Sequence, residues 1–143
     1  MANLTFRTIL ATGSRSLGEG EGNGDAFDVF LPPKSLSNLE NRPGLLLFMT
    51  RQVNVGKNFI TINAPAQVSG QSYEEAKEED YFAERIVENP SDTWILQIAR
   101  VRSDALSDTI TVGFHSRNED GEPGGNRDNF DVARIFLLYF GSE

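Results

Sequence analysis

The last apolar stretch of the chain, FDVARIFLLYF at 130–140, constrains the fold more than any other feature. Its first half alternates between apolar and polar residues, whereas its second half is apolar on both faces. A strand that is apolar on both faces must be covered on both sides. We therefore expect this stretch to lie in the centre of a sheet or to contact a second surface.

Several shorter segments repeat the two-residue periodicity of strands. In one of them, Trp94, Leu96 and Ile98 share a face, and we interpret them as core residues. Turn residues at 54–57 predict that the segments on either side form a hairpin. Because strands do not alternate regularly with helices, the sequence predicts an all-β sandwich. The segments lie at 4–10, 26–31, 45–53, 58–63, 93–101 and 109–115.

One helix and one irregular segment interrupt these strands. Ser72 and Glu75 match the capping box S-x-x-E, which predicts a short surface helix that extends to about residue 85. The Gly- and Ser-rich run at 13–24 lacks periodicity and predicts a long loop or an arm. The length of 143 residues fits one domain, 1–143.

Composition excludes several classes of function. The chain has 21 acidic and 13 basic residues, and its net charge of −8 opposes binding to nucleic acids and to anionic membranes. It has no cysteine, which excludes disulfides and thiolate metal sites. The N-terminus lacks the apolar core of a signal peptide, and no stretch is apolar enough for a membrane helix. We expect synthesis in the cytoplasm without a signal peptide, and a virion or the extracellular space as the destination after any release.

From residue 45 onward, the order and spacing of the segments resemble galactose-binding-type jelly rolls. These domains occur as carbohydrate-binding modules and as accessory β-sandwich domains of glycosidases. The resemblance runs through LLLFMTRQV, NFITIN, WILQIA, TITVGFH and DNFDVARIFLLYF, and it covers about two thirds of the chain. The usual Asn-Gly after the second of these strands is replaced here by Asn63-Ala64. The resemblance implies an all-β, antiparallel jelly-roll β-sandwich with one short surface helix.

The resemblance also implies a structural Ca²⁺ near the first and last strands. Two segments, 22–29 and 125–132, share the pattern G-N-x-D-x-F-D-V, and each leads from a loop into a strand. Calcium prefers hard oxygen ligands, which carboxylates, Asn side chains and loop carbonyls provide. Solvated turn carboxylates are the alternative, and neither segment has the spacing of an EF-hand. The predicted metal ligands are Asp25, Asp28, Asp128 and Asp131.

Five residues are candidates for binding a ligand. Trp94, with Tyr73 or Tyr81 beside it, offers aromatic faces on which a sugar ring can stack. Burial of Trp94 in the core is the alternative, and the strand pattern favours it. Arg100 and Arg102 share a strand face and present guanidinium groups to a carboxylate, whereas solvated or edge-protecting arginines are the alternative.

The sequence provides little for catalysis. His115 is the sole histidine, and the adjacent Ser116 is expected on the opposite face of a strand. The chain has neither a G-x-S-x-G elbow nor a phosphate-binding loop. We interpret His115 as a polar residue at a strand end, and we expect no enzymatic activity.

Two hypotheses of function follow. The first is a non-catalytic structural module that docks on a multisubunit particle or surface, such as a virion decoration or an appendage. Its partner is a protein, and a homo-oligomer is one form of the assembly; the irregular 13–24 segment and the doubly apolar 130–140 stretch favour it. The second is a stand-alone carbohydrate-binding module or lectin, which follows from the resemblance alone.

Overall fold

The computed structural model describes residues 2–18, 24–30, 43–79, 81–106 and 109–142, and for 2–3, 24–30 and 140–142 it describes the backbone alone. Short 3₁₀ helices lie at Ala66–Gly70 and Ser103–Ala105. No helix in these ranges has the length and apolar content needed to cross a bilayer. The regular elements are β1 (Ala2–Leu17), β2 (Gly24–Phe30), β3 (Gly44–Arg51), β4 (Phe59–Ile62), α1 (Tyr73–Glu78), β5 (Phe82–Arg85), β6 (Ile95–Val101), β7 (Thr109–His115) and β8 (Phe130–Ser142).

The strands form two antiparallel sheets of four strands each. The first sheet has the order β1-β8-β3-β6, and the second has the order β2-β7-β4-β5. Eight strands that wind in this way between two packed sheets make a jelly roll. The prediction of an all-β, antiparallel jelly-roll sandwich is therefore confirmed. The closing strand β8 lies between β1 and β3, so its predicted central position is confirmed as well.

The core lies between the two sheets because alternate residues of each strand point inward. The Phe48 ring of the first sheet meets the Phe114 ring of the second edge to face, with centroids 5.3 Å apart. Such an aromatic pair contributes about 1 kcal/mol beyond its buried area. The other large apolar residues of this core are Leu17, Leu46, Val53, Ile60, Ile62, Phe82, Ile86, Val101, Leu106, Ile110, Val112, Phe130, Val132, Ile135, Leu137 and Tyr139.

The hairpin predicted for 45–53 and 58–63 is wrong. β3 pairs with β6 and β8 in the first sheet, whereas β4 pairs with β5 and β7 in the second. The connection between them crosses from one sheet to the other. It is held by the buried Asp128 carboxylate, which accepts hydrogen bonds from the N–H groups of Asn54 and Val55 at 2.9 and 3.0 Å. Turn residues at 54–57 fit a crossover between sheets as well as they fit a hairpin.

The predicted capping box is present, but the helix that it starts is shorter than expected. Ser72 Oγ accepts the N–H of Glu75, and the Glu75 carboxylate accepts the N–H of Ser72. Within α1 only Ala76 is buried, which confirms a surface helix. Residues 82–85 form β5 instead of extending the helix, because they pair with the free edge of β4.

The predicted loop or arm at 13–24 is in part a strand. Residues 13–17 belong to β1 and remain paired with β8. The register shifts between Leu10 and Ser14, and Gly13 within this shift has a φ of 74°. Glycine adopts such left-handed backbone without strain, so it permits a bulge and the strand continues. Residues 19–23 lie outside the described residues.

Candidate functional site

The outer face of the first sheet is apolar over much of its area. Each of its four strands turns large aliphatic or aromatic side chains outward. The pairing register aligns these side chains in cross-strand rows, such as Phe6, Leu138 and Leu45 or Phe136, Leu47 and Ile98. We call this surface the apolar face. It consists of Leu4, Phe6, Leu45, Leu47, Met49, Leu96, Ile98, Phe136 and Leu138.

Much of the apolar face is open to solvent. The exposed fraction is 60% for Leu4 and Ile98, 55% for Phe6 and Leu96, and 40% for Leu45. The other four residues are half-buried. Single exposed apolar residues are ordinary, but contiguous apolar patches on soluble proteins mark sites of interaction. The apolar face is therefore the strongest candidate for a functional surface in the part of the chain that the structure describes.

The orientation of β6 reverses the interpretation from sequence. Leu96 and Ile98 share one face as predicted, but that face points to solvent and not into the core. The buried Gln97 fixes the orientation. Its amide donates to the Thr50 hydroxyl at 2.8 Å and to the Val87 carbonyl at 3.0 Å, and it accepts the Val87 N–H at 2.9 Å. Because the amide is satisfied by these bonds, burying it carries little penalty.

A bulge keeps both faces of β8 apolar. Arg134 has a φ of 52°, and the register between β8 and β3 shifts at this point. The shift exchanges odd for even positions, so that Val132 faces the core before it and Ile135 faces the core after it. Phe136 consequently points outward, where its ring stacks on that of Phe6 with centroids 5.0 Å apart.

One end of the apolar face is polar. Arg51 donates to the Asp131 carboxylate at 2.8 Å, and Ser16 donates to the same carboxylate at 2.7 Å. The guanidinium carbon of Arg51 also lies 4.6 Å from the centre of the Trp94 ring. Trp94 is half-buried at the surface, so the interpretation of this residue as part of the core is wrong. Beside it lies a cleft of about 520 Å³, which Arg134 also lines.

A second cleft, of about 480 Å³, brings together three of the five residues predicted to bind a ligand. Tyr81, Arg100 and Arg102 line it together with Lys77 and with two glutamates. It is lined by residues of β5 and β6, which are edge strands of the two sheets. Arg102 forms an ion pair with Asp104 at 3.2 Å, but both side chains are well exposed, so the pair contributes little.

The Tyr81 hydroxyl at this edge cleft is held in place. It donates to Gln71 Oε1 at 2.5 Å. Burial raises the pKa of Tyr81 above its ordinary value, and the nearby carboxylates of Glu79 and Glu75 raise it further. The hydroxyl therefore stays protonated at neutral pH, and the ring forms a fixed wall of the cleft.

Tyr73 does not join either cleft. Its ring packs edge to face on Phe59, with centroids 5.8 Å apart, and the Arg85 guanidinium lies 4.6 Å from the ring centre. Tyr73 therefore attaches α1 to the second sheet.

The carboxylates predicted to bind calcium serve different purposes where their side chains are described. Asp128 accepts hydrogen bonds from Asn54, Val55 and Asn58, and the last is a side-chain bond of 2.8 Å. The Asp131 carboxylate accepts hydrogen bonds from Arg51 and Ser16. Among the described side chains, no group of three or more His, Asp or Glu residues could hold a metal ion. The side chains of Asp25 and Asp28 lie outside the described residues, so the calcium site stays a prediction.

The sole histidine is a buried structural residue. His115 ends β7, is only 7% exposed, and places Nε2 2.8 Å from the Thr61 hydroxyl oxygen. Its ring stacks on Phe59 with centroids 4.8 Å apart. Burial lowers the pKa of His115 to about 3, and the positive charge of Arg117 adds to this effect. The interpretation as a polar residue at a strand end is confirmed, and the imidazole is neutral at physiological pH.

Sequence reasoning missed a fully buried arginine. Arg117 donates to the carbonyl oxygens of Gln71 and Val68 at 2.7 and 2.9 Å, and its guanidinium carbon lies 4.9 Å from the centre of the Phe59 ring. Burial lowers the pKa of Arg117 to about 10, so it remains charged at neutral pH. It attaches the 3₁₀ helix Ala66–Gly70 to the second sheet. No local signal identifies it, because the surrounding polar run is typical of an exposed loop.

Comparison with known proteins gives matches only among solved structures. No family model matches the chain, and no curated protein matches it. A mutant of a carbohydrate-binding module of family 29 aligns at 18% identity and a TM-score of 0.46, covering 95% of this chain and 92% of that chain. A chain from the structure of the infectious bursal disease virus Gx strain aligns at 9% identity and a TM-score of 0.42, covering 100% of this chain and 32% of that chain. Tobacco streak virus coat protein aligns at 11% identity and a TM-score of 0.34, covering 98% and 87%.

These similarities carry no argument about function, because the identities and the TM-scores are low. The strand order of the two sheets establishes the fold independently of them. The chain is a jelly-roll β-sandwich, which is the architecture that the sequence resemblance implied.

Proposed function

We propose that this chain is a non-catalytic structural module that docks on a protein partner within a larger assembly. The observation that carries the proposal is the apolar face, on which five large apolar side chains are 40–60% exposed. Completing the burial of one such side chain gains about 1 kcal/mol, so the five together gain about 5 kcal/mol. This gain favours association, while the isolated domain keeps its own buried core.

The chemistry of the apolar face favours a protein over a sugar or a membrane. Seven of its nine side chains are not aromatic, and none of the nine has a hydrogen-bonding group for sugar hydroxyls. Its well-exposed aromatic ring, Phe6, is already stacked on Phe136. The net charge of −8 opposes adsorption to anionic lipid. Apolar residues at the centre of a patch, with polar residues at its rim, are typical of protein interfaces.

Photocross-linking in the cells that produce the protein tests the proposal. A benzophenone amino acid replaces Ile98 on the apolar face in one variant. In the matched control it replaces Val87, which is 63% exposed but lies off that face. We expect a discrete protein adduct from position 98 and none from position 87. The absence of any adduct from position 98 would contradict the proposal.

The second candidate function, binding of a glycan, has one specific observation in its favour. Trp94 is a half-buried aromatic residue beside the cleft of about 520 Å³, and Arg51 and Arg134 also line this cleft. However, the Arg51 guanidinium already stacks on the ring, which reduces the area open to a sugar. A glycan array tests this candidate, because specific binding that Trp94→Ala abolishes and Trp94→Phe retains would favour it over docking.

A further inference from the structure

The charge of the apolar face differs from that of the chain around it. On the outer side of the first sheet and the cleft at its end, the described charged residues are Arg51, Arg100, Arg134 and Asp131, which sum to two positive charges. Asp131 is already neutralised by Arg51. The whole chain carries −8, so most of the remaining surface is acidic. Association through the apolar face therefore brings no excess of acidic groups together, whereas contact between the remaining surfaces of two copies does.

The apolar face is also complementary to itself. Apolar side chains in cross-strand rows can interdigitate with an identical set, as the inner faces of two sheets do within a sandwich. Two sheets of the same twist pack with their strands about 30° apart. The apolar face and the same face of a second copy have the same twist, so they can pack in this way. Closed homodimers with one shared patch are the commonest soluble oligomers.

The size of the apolar face fits a weak dimer. Four strands spaced about 4.8 Å apart give a width of about 19 Å, and seven residues of β3 give a length of about 23 Å. The flat area is about 440 Å² per copy, so two copies bury about 900 Å² before the relief of the side chains is added. Specific interfaces begin at about 1,000 Å², and small ones are weak.

From charge, self-complementarity and area together, we propose that a second copy of this chain occupies the apolar face and forms a face-to-face dimer with a micromolar dissociation constant. The inference rests on the proposed function, because it names the partner for the same surface. Sedimentation equilibrium of the full chain between about 1 μM and 1 mM tests it. We expect a reversible transition from monomer to dimer within this range.

Three variants show whether the apolar face forms the dimer. Ile98→Glu places a charge on the face and should raise the dissociation constant at least about a hundredfold. Val87→Glu adds the same charge at an exposed aliphatic residue off the face and should change it less than about threefold. Ile98→Lys makes the chain less acidic. If it weakens the dimer as much as Ile98→Glu does, repulsion between two acidic chains is not the cause. Circular dichroism verifies that each variant is folded, and Leu96→Glu or Leu96→Lys replaces an unfolded variant at position 98.

The outcomes separate this inference from the proposed function. A wild-type chain that stays monomeric up to about 1 mM overturns the dimer, as does a dimer that Val87→Glu disrupts as strongly as Ile98→Glu. If the cross-linked adduct from position 98 is then a different protein, docking through the apolar face stands and the second copy is excluded. If position 98 gives no adduct, both proposals fail. An adduct of twice the mass of the chain supports both.

Discussion

The buried histidine should make the fold sensitive to acid by a calculable amount. His115 has a pKa of about 3 in the folded chain, because burial disfavours the charged imidazolium and Arg117 repels it. Its value in the unfolded chain is about 6.5. Between these two values the unfolded chain binds a proton that the folded chain does not bind. The free energy of unfolding therefore falls as the pH falls from about 6.5 towards 3.

The size of this effect follows from the difference between the two pKa values. From pH 7 to pH 5, the contribution of His115 to stability decreases by about 2 kcal/mol, and the full decrease approaches about 5 kcal/mol near pH 3. The pH 5 value is the better target for measurement, because carboxylates elsewhere titrate less at that pH. In urea, a loss of about 2 kcal/mol lowers the midpoint of unfolding by about 1 M.

The assay compares the wild type with His115→Gln, which keeps a hydrogen-bonding group near Thr61 and does not titrate. Urea unfolding at pH 7 and pH 5 gives the pH dependence of each protein, and subtracting one from the other removes the shared effect of the carboxylates. We expect the wild type to lose about 2 kcal/mol more than the variant. NMR of the sole imidazole should show no titration of the folded protein between pH 8 and 5. Equal pH dependences, or an imidazole that titrates near 6.5 in the folded state, would refute the reasoning.

Three further predictions concern Asp128, Gly18 and the predicted calcium site. Asp128→Asn removes the charged acceptor of three N–H donors and should lower the free energy of unfolding, measured with urea, by about 3 kcal/mol. The control Asp120→Asn, on the exposed part of the same connection, should change it by less than about 0.5 kcal/mol. Gly18→Ala should lower the free energy of unfolding by about 2 kcal/mol, because the φ of Gly18 is 137° and a Cβ would lie 2.7 Å from the Asp128 carbonyl oxygen. An unchanged free energy of unfolding would contradict this conformation of Gly18. If Ca²⁺ raises the melting temperature of chelator-treated protein, Asp28→Asn should remove the rise and Asp131→Asn should keep it, because the Asp131 carboxylate already accepts from Arg51 and Ser16. The reverse result would identify Asp131 as a ligand and count against Asp28.

Local patterns predicted the elements whose cause is local. The capping box of Ser72 and Glu75 is complete within four residues, so its hydrogen bonds could be predicted from the sequence. The two apolar faces of 130–140 predicted a central strand, and β8 is central, but its outer side chains Phe136 and Leu138 are only half-buried and belong to the apolar face. The turn at 54–57 was located correctly, but the partner of each flanking strand depends on the rest of the sheet. A two-residue period identifies a strand without naming its neighbours.

The clefts show the same division between local and tertiary causes. Arg100 and Arg102 were predicted to share a face because alternate residues of an extended chain do so. Their meeting with Tyr81 depends on β5 and β6 being edge strands on the same side of the sandwich, which no local pattern states. The buried Arg117 was missed for a related reason, since two of the carbonyl groups that accept its hydrogen bonds, those of Val68 and Gln71, lie more than forty residues earlier in the chain.

The orientation of β6 connects the main error of the sequence interpretation to the proposed function. Leu96 and Ile98 are larger and more apolar than Gln97, so transfer energies alone would place them in the core. The decisive contribution is tertiary, because the Gln97 amide finds three partners on β3 and on the segment after β5. With the amide satisfied inside, Leu96 and Ile98 must lie outside, where only a partner can bury them. A strand with apolar residues on both faces can therefore turn either face towards the core. In β6 the face with Leu96 and Ile98 points outward, and it forms part of the apolar face on which docking depends.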